Sequence, residues 1–218
     1  MPEEHSPSMT LFEGQLEAET PRSLKALREA ENKCRRCDLW KHATQAVPGE
    51  GPARAQLMLV GEQPGNDEDL KGHPFVGPAG RVLDQALIEA GIDRTEVFIT
   101  NAVRHFKFEM RGKRRLHKRP DPHEIEMCRW WSKIERNLVK PKLIVALGAT
   151  AARSVFERVI TIGKVRGEIM PTPDEGCGLV TIHPSYLLRI QEERDKWAEY
   201  NRFLKDLGVA REFLKKRA

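Results

Sequence analysis

The chain has 218 residues, of which 39% are hydrophobic and 32% charged, with a formal net charge of +5. That length suits one domain, or one domain with a tail. No apolar run approaches the roughly 18 residues that span a bilayer, and the N-terminus lacks a basic-then-apolar leader pattern. A membrane-spanning or secreted protein is therefore not expected, and the basic balance leans toward a polyanionic partner.

Residues 1–20 carry five carboxylates and no Lys or Arg, and read as a flexible acidic tail ahead of a single domain over 21–218. Pro21 to Glu31 has the spacing of a short amphipathic helix, with Leu24, Leu27 and Ala30 on one side. It runs into Cys34-Arg35-Arg36-Cys37. A Pro/Gly-rich loop over 44–56 leads to the apolar run Leu57-Met58-Leu59-Val60, which reads as a buried parallel strand. After it, GEQPGNDEDLKGHPFVGPAG over 61–80 breaks at Gly61 and Pro64-Gly65 and continues as an acidic loop. A helix is expected over 79–91, with Val82, Leu83, Ala86 and Leu87 on one face and Gly91 ending it.

Val97 to Thr100 reads as a second strand, with Asn101 at its end. Residues 104–119 carry eight Lys or Arg against a single Glu109, without apolar periodicity, and read as a basic loop able to meet phosphates. Asp121-Pro122-His123-Glu124 is a helix start: an N-cap, a proline at the first position and a glutamate at the third. That helix is expected to reach Leu138. Leu143 to Leu147 is the third strand, followed by a helix over 149–158 and a short extra strand near 166–170. Leu179 to Ile182 is the last strand, and a charged helix from about 191 to 216 closes the chain.

Strands alternating with helices predict a three-layer α/β/α fold around a central four-stranded parallel sheet. Its strand ends would carry Glu62 and Gln63, Asn101, Gly148 and His183 along one edge, where open α/β sheets bind ligands. With Phe75 nearby, a carboxylate, an amide and an aromatic face suit a flat polar ring. Cys34 and Cys37 read as metal or redox chemistry before a disulfide. With Cys128 and His105 they would suit zinc or an iron–sulfur cluster; a core cysteine and a surface histidine are the alternative.

In order and spacing, GEQPG at 61–65, GHPFVGPAG at 72–80, TNAVRHFKF at 100–108, KRRLH at 113–117 and HPSYLLR at 183–189 resemble the uracil-DNA glycosylase superfamily. The likeness runs from about Leu24 into the last helix. KRRLH is similar to the signature loop of the UdgX-type branch, a relative of the family-4 iron–sulfur glycosylases. The resemblance implies a structural [4Fe-4S] cluster on Cys34, Cys37, His105 and Cys128, with Cys177 a bystander. It implies that Phe75 stacks on a flipped uracil, Asn101 reads its O4/N3 edge, and His183 donates to O2 as charge develops. Gly61 and Ser185 complete the substrate-binding set, and Lys113, Arg114 and Arg115 would hold flanking phosphates. Glu62 would polarise the nucleophile and Gln63 position it. His117 would attack C1′ and leave the protein covalently bound to the abasic site. The expected substrate is uracil-containing DNA, single-stranded favoured, met by a monomer in a prokaryotic cytoplasm and associated with the nucleoid when on DNA. Two alternatives stand beside this: a conventional family-4 enzyme that releases abasic DNA, and a non-catalytic nucleic-acid binder. One departure is Asn66, followed by Asp67, where the family often has an acidic residue directly after GEQPG.

Overall fold

The computed structural model describes residues 20–217, so the acidic tail expected over 1–20 lies, but for its last residue, outside the described residues. Five strands form the main sheet: β1 (Leu57–Gly61), β2 (Val97–Asn101), β5 (Leu143–Leu147), β6 (Ile169–Pro171) and β7 (Cys177–Thr181). Their order is β2-β1-β5-β7-β6. The first four are parallel, with Gly61 level with Asn101 and Leu147 level with Thr181, so their C-terminal ends share one edge. The fifth strand corrects the expected all-parallel four-stranded sheet. β6 pairs antiparallel with β7, because the five residues between them suffice for a hairpin but not for a crossover.

Alternate strand residues face opposite layers, as the pleat requires. Leu57 and Leu59 pack with Leu143, Val145 and Ile99 against α3 (Pro78–Glu89) and α8 (Glu193–Lys215). Met58 and Val60 pack with Phe98 and Ile144 against Val155 and Phe156 of α5 (Ala149–Phe156). A third cluster lies between α1 (Leu24–Asn32) and α4 (Pro122–Val139), around Leu27, Val103, Ile125 and Trp131. The start of α4 follows from its sequence: the Asp121 side chain accepts from Glu124 N–H, Glu124 accepts from Asp121 N–H, and Pro122 is at the first turn.

Two expected loops are not loops. The acidic segment contains α2 (Asn66–Lys71), which Gly72 ends in a left-handed conformation. The basic segment holds an antiparallel hairpin of β3 (Phe108–Arg111) and β4 (Arg114–His117), turning through Gly112 and Lys113. Gly112 takes a positive φ of 60°, as two-residue hairpin turns demand. Hydrophobic alternation is nearly absent here because the ribbon has little core to face. Short helices α6 (Ile162–Val165) and α7 (Pro184–Leu187) complete the fold. None of the described helices is long and apolar enough to cross a membrane.

Candidate active site

A cleft of about 1120 Å³ opens over the shared strand edge, lined among others by Glu62, Phe75, Asn101, His117, Arg119 and His183. Residues expected from the three strand ends, from the loop after β1 and from the basic segment thus meet in one place.

The floor is set by close approaches that only small residues allow. A Cβ on Gly61 would lie 2.3 Å from Asn101 Oδ1 and 2.6 Å from Phe75 Cζ, so Gly61 makes room for both. Phe75 is buried with a φ of +55°, a conformation that costs a non-glycine residue on the order of 1 kcal/mol. Gly80 packs directly under the Phe75 carbonyl, where a Cβ would sit 1.8 Å from the oxygen. Glu68 fastens both arms of this loop, accepting from Gly65 N–H at 3.0 Å and from Gly77 N–H at 2.8 Å.

Asn101 is 2% exposed, and its Oδ1 has no hydrogen-bond partner among the described residues. A buried orphan acceptor costs roughly 1–3 kcal/mol unless a ligand satisfies it. Arg104 holds this stretch from beneath, donating to the Asn101 carbonyl, to Glu31 at 2.6 Å and to Glu135 at 2.8 Å.

His183 sits between β7 and α7, stacked near Phe75 with ring centroids 5.7 Å apart. Its Nδ1 accepts from Ser185 N–H at 3.2 Å and lies 2.8 Å from Ser185 Oγ. That fixes Nδ1 as acceptor and leaves Nε2 to carry the proton in the neutral ring. Burial lowers its pKa from 6.5 to about 4, with Arg189 and His117 in the same direction and Glu62 opposing. The imidazole is therefore a neutral donor at physiological pH.

Glu62 stands at the mouth. Burial pushes its carboxyl up, but hydrogen bonds from His117 and Thr150 outweigh that and hold it below the ordinary value. His117 Nε2 is 3.3 Å from Oε1, and Thr150 Oγ1 donates to Oε2 at 2.5 Å. His117 ends β4 and is 49% exposed, so one edge of its ring is open to the cleft.

The hairpin reaches this position through side chains the sequence reading placed elsewhere. Gln63, expected to position the nucleophile, spends its amide on the backbone at the base of the hairpin that carries His117: Nε2 donates to Lys107 O and Lys118 O, both at 3.1 Å, and Oε1 accepts from Lys107 N–H at 3.0 Å. Arg115, expected to meet phosphate, instead pairs with buried Asp69 at 2.6 Å and stacks over Phe106 and Phe108. Asp69 also accepts from Thr44 N–H at 2.9 Å. Lys113 and Arg114 remain on the exposed hairpin tip, outside the cleft wall. Glu68, Asp69, Arg119 and Thr150 escaped the sequence reading, since each lies in a segment read as loop or helix start.

Residues 48–208 match the family described as the uracil DNA glycosylase superfamily. The chain belongs to that superfamily. It is 36% identical to the type-4 uracil-DNA glycosylase of Archaeoglobus fulgidus, over 80% of this chain and 86% of the relative. It is likewise 36% identical to that of Thermotoga maritima, over 86% and 93%. The type-4 uracil-DNA glycosylase of Pyrobaculum aerophilum is 35% identical over 85% and 92%. The superfamily match covers β1 to most of α8 and so contains the whole cleft.

The expected metal residues are Cys34, Cys37, His105 and Cys128. Cys34, Cys37 and Cys128 share the apolar cluster between α1 and α4. Trp131 Nε1 donates to Cys34 Sγ at 3.1 Å, and burial pushes the Cys128 thiol up to about 12. His105 is buried next to Arg104; burial and Arg35 lower its pKa to about 4, so it is a neutral imidazole. Among the described residues, no three His, Cys, Asp or Glu stand close enough to hold a metal ion. The donor types, thiols with one neutral imidazole in an apolar surround, nevertheless fit a thiolate-held centre.

Proposed function

We propose that this chain excises uracil from DNA and that His117 captures the sugar it leaves behind. The observation that carries the first part is the buried Oδ1 of Asn101, unpartnered among the described residues, facing the same cleft as a neutral His183 donor. Uracil N3–H satisfies that acceptor, while cytosine presents a lone pair there and leaves it unpaired. Phe75 offers the face on which a flipped base stacks. As the C1′–N1 bond breaks, the electron pair goes to uracil, and His183 Nε2–H stabilises the charge on O2. Single-stranded substrate is favoured because no pairing must be broken to flip the base.

The contact of His117 with Glu62 supports the second part. One ring nitrogen attacks C1′ as uracil departs, and the proton on the other passes to Glu62. Lys113 and Arg114, exposed at the tip, would meet flanking phosphates. A second reading, in which water attacks and the enzyme turns over, draws on the type-4 relatives and on the half-exposed position of His117.

We further propose that Cys34, Cys37, His105 and Cys128 hold a [4Fe-4S] cluster. When bound, the cluster would tie α1 to α4 and the start of the hairpin. Iron analysis and the visible absorbance of the purified protein test this, and stoichiometric zinc without iron would refute it.

The deciding experiment is a boiled denaturing gel of the protein with a uracil-bearing single-stranded oligonucleotide. A denaturation-resistant band that His117→Ser abolishes, with free abasic DNA appearing instead, is the expected outcome. Abasic DNA in excess of wild-type protein, without a band, decides for turnover. Intact uracil-DNA refutes excision altogether.

A further inference from the structure

Glu62 is gripped by two elements, and only one of its partners is the proposed nucleophile. We infer that Thr150 is a positioning residue for the reaction: its hydroxyl, itself oriented by Arg119, locks the Glu62 carboxylate so that Oε1 faces His117. This rests on the reading of Glu62 as the proton acceptor.

The argument is one of proton counting. Arg119 Nε can only donate, and it lies 3.3 Å from Thr150 Oγ1. The threonine hydroxyl accepts that bond and has a single proton left to give, which goes to Glu62 Oε2 at 2.5 Å. Thr150 is buried in the first turn of α5, so a hydroxyl that left Glu62 would have no water to bond to and would forfeit a buried hydrogen bond. With Oε2 committed, the carboxylate plane is set and Oε1 is left for His117 at 3.3 Å.

Arg119 lies two residues after His117, beyond the same hairpin. The segment that delivers the imidazole therefore also delivers the guanidinium that aims the hydroxyl, and docking of the hairpin and alignment of Glu62 become one event. The other titratable groups around Glu62 are His117 from β4 and His183 from the start of α7; Asp67 and Glu68 of α2 and Arg189 line the same cleft.

Single-turnover uracil release, measured against pH for wild type, Thr150→Val and Thr150→Ser, tests the inference. Valine keeps the shape and removes the donor. It should lower the plateau about tenfold or more and move the acidic limb to higher pH, because the ionised carboxylate loses a hydrogen bond. Serine should restore both to within about threefold. Should Thr150→Val not fold, Arg119→Met at the exposed end of the chain of bonds should move the limb in the same direction. A valine variant with the wild-type plateau and limb overturns the inference. So does an equal loss in valine and serine with an unmoved limb, which marks Thr150 as packing only. Wild type that releases no uracil brings down the reading of the cleft, and this inference with it.

Discussion

Removing the Gln63 side chain should loosen the hairpin that carries His117 while leaving the sheet beneath it intact. In Gln63→Ala three hydrogen bonds disappear, two from Nε2 to the carbonyls of Lys107 and Lys118 and one from Lys107 N–H to Oε1. At about 1 kcal/mol net apiece they sum to about 3 kcal/mol, which is about a hundredfold in the opening equilibrium. Other tethers survive, Arg115 to Asp69 and Lys107 to Glu124 at 2.7 Å, while the bond from Lys118 N–H to Lys107 O at 2.9 Å closes the base of the hairpin that Gln63 clamps. The hairpin should thus persist but open more often. Hydrogen exchange at the Lys118 amide reads that opening, and its protection should fall about a hundredfold. Gln63→Glu should be worse, since a carboxylate oxygen would then face two carbonyls. Protection of Lys118 within threefold of wild type in Gln63→Ala would show that the hairpin is held by something other than this amide.

Gly61→Ala places a methyl group into Asn101 Oδ1 and the Phe75 ring. It should cost about 1–3 kcal/mol of stability and reduce uracil release by far more than that lost stability explains; melting and single-turnover assays separate the two. The His183 prediction concerns acid. The ring has a pKa of about 4 in the folded chain against 6.5 when unfolded, so only the unfolded state gains a proton as pH falls between those values. Its contribution is complete above pH 6.5 and is lost on the way down to about 4, at most about 3 kcal/mol. Urea titrations at both ends of that window should show a shallower pH dependence in His183→Gln, and an equal slope in both proteins refutes the buried neutral ring.

The strand ends were the legible part of the site. Four apolar runs, each followed by polar or glycine residues, required a parallel sheet with Glu62, Asn101, Gly148 and His183 on one edge, and the register agrees. Caps were legible too: Asp121-Pro122 starts α4, and Gly91 follows α3 with a φ of +68°. The β3–β4 ribbon was not, because its residues face solvent and α2, and carry charge where periodicity would otherwise show. The clue it offered was Gly112 just ahead of the basic tripeptide Lys113-Arg114-Arg115, a weak turn signal in so charged a stretch.

The amino-acid order alone determined which residues are available to the cleft: strand periodicity, turn glycines and caps are local, and each is written within a few neighbours. What each polar group does there was decided only by the folded chain. Gln63 was expected to position the nucleophile and Arg115 to hold phosphate, and the fold bonds them to the hairpin's base and to Asp69, while Thr150 looked like a helix start and grips Glu62. Hydrogen-bond partners come from residues 44 to 88 positions apart in these three cases. No local pattern encodes such pairings, because a donor finds its acceptor only after the sheet has brought both to the same edge.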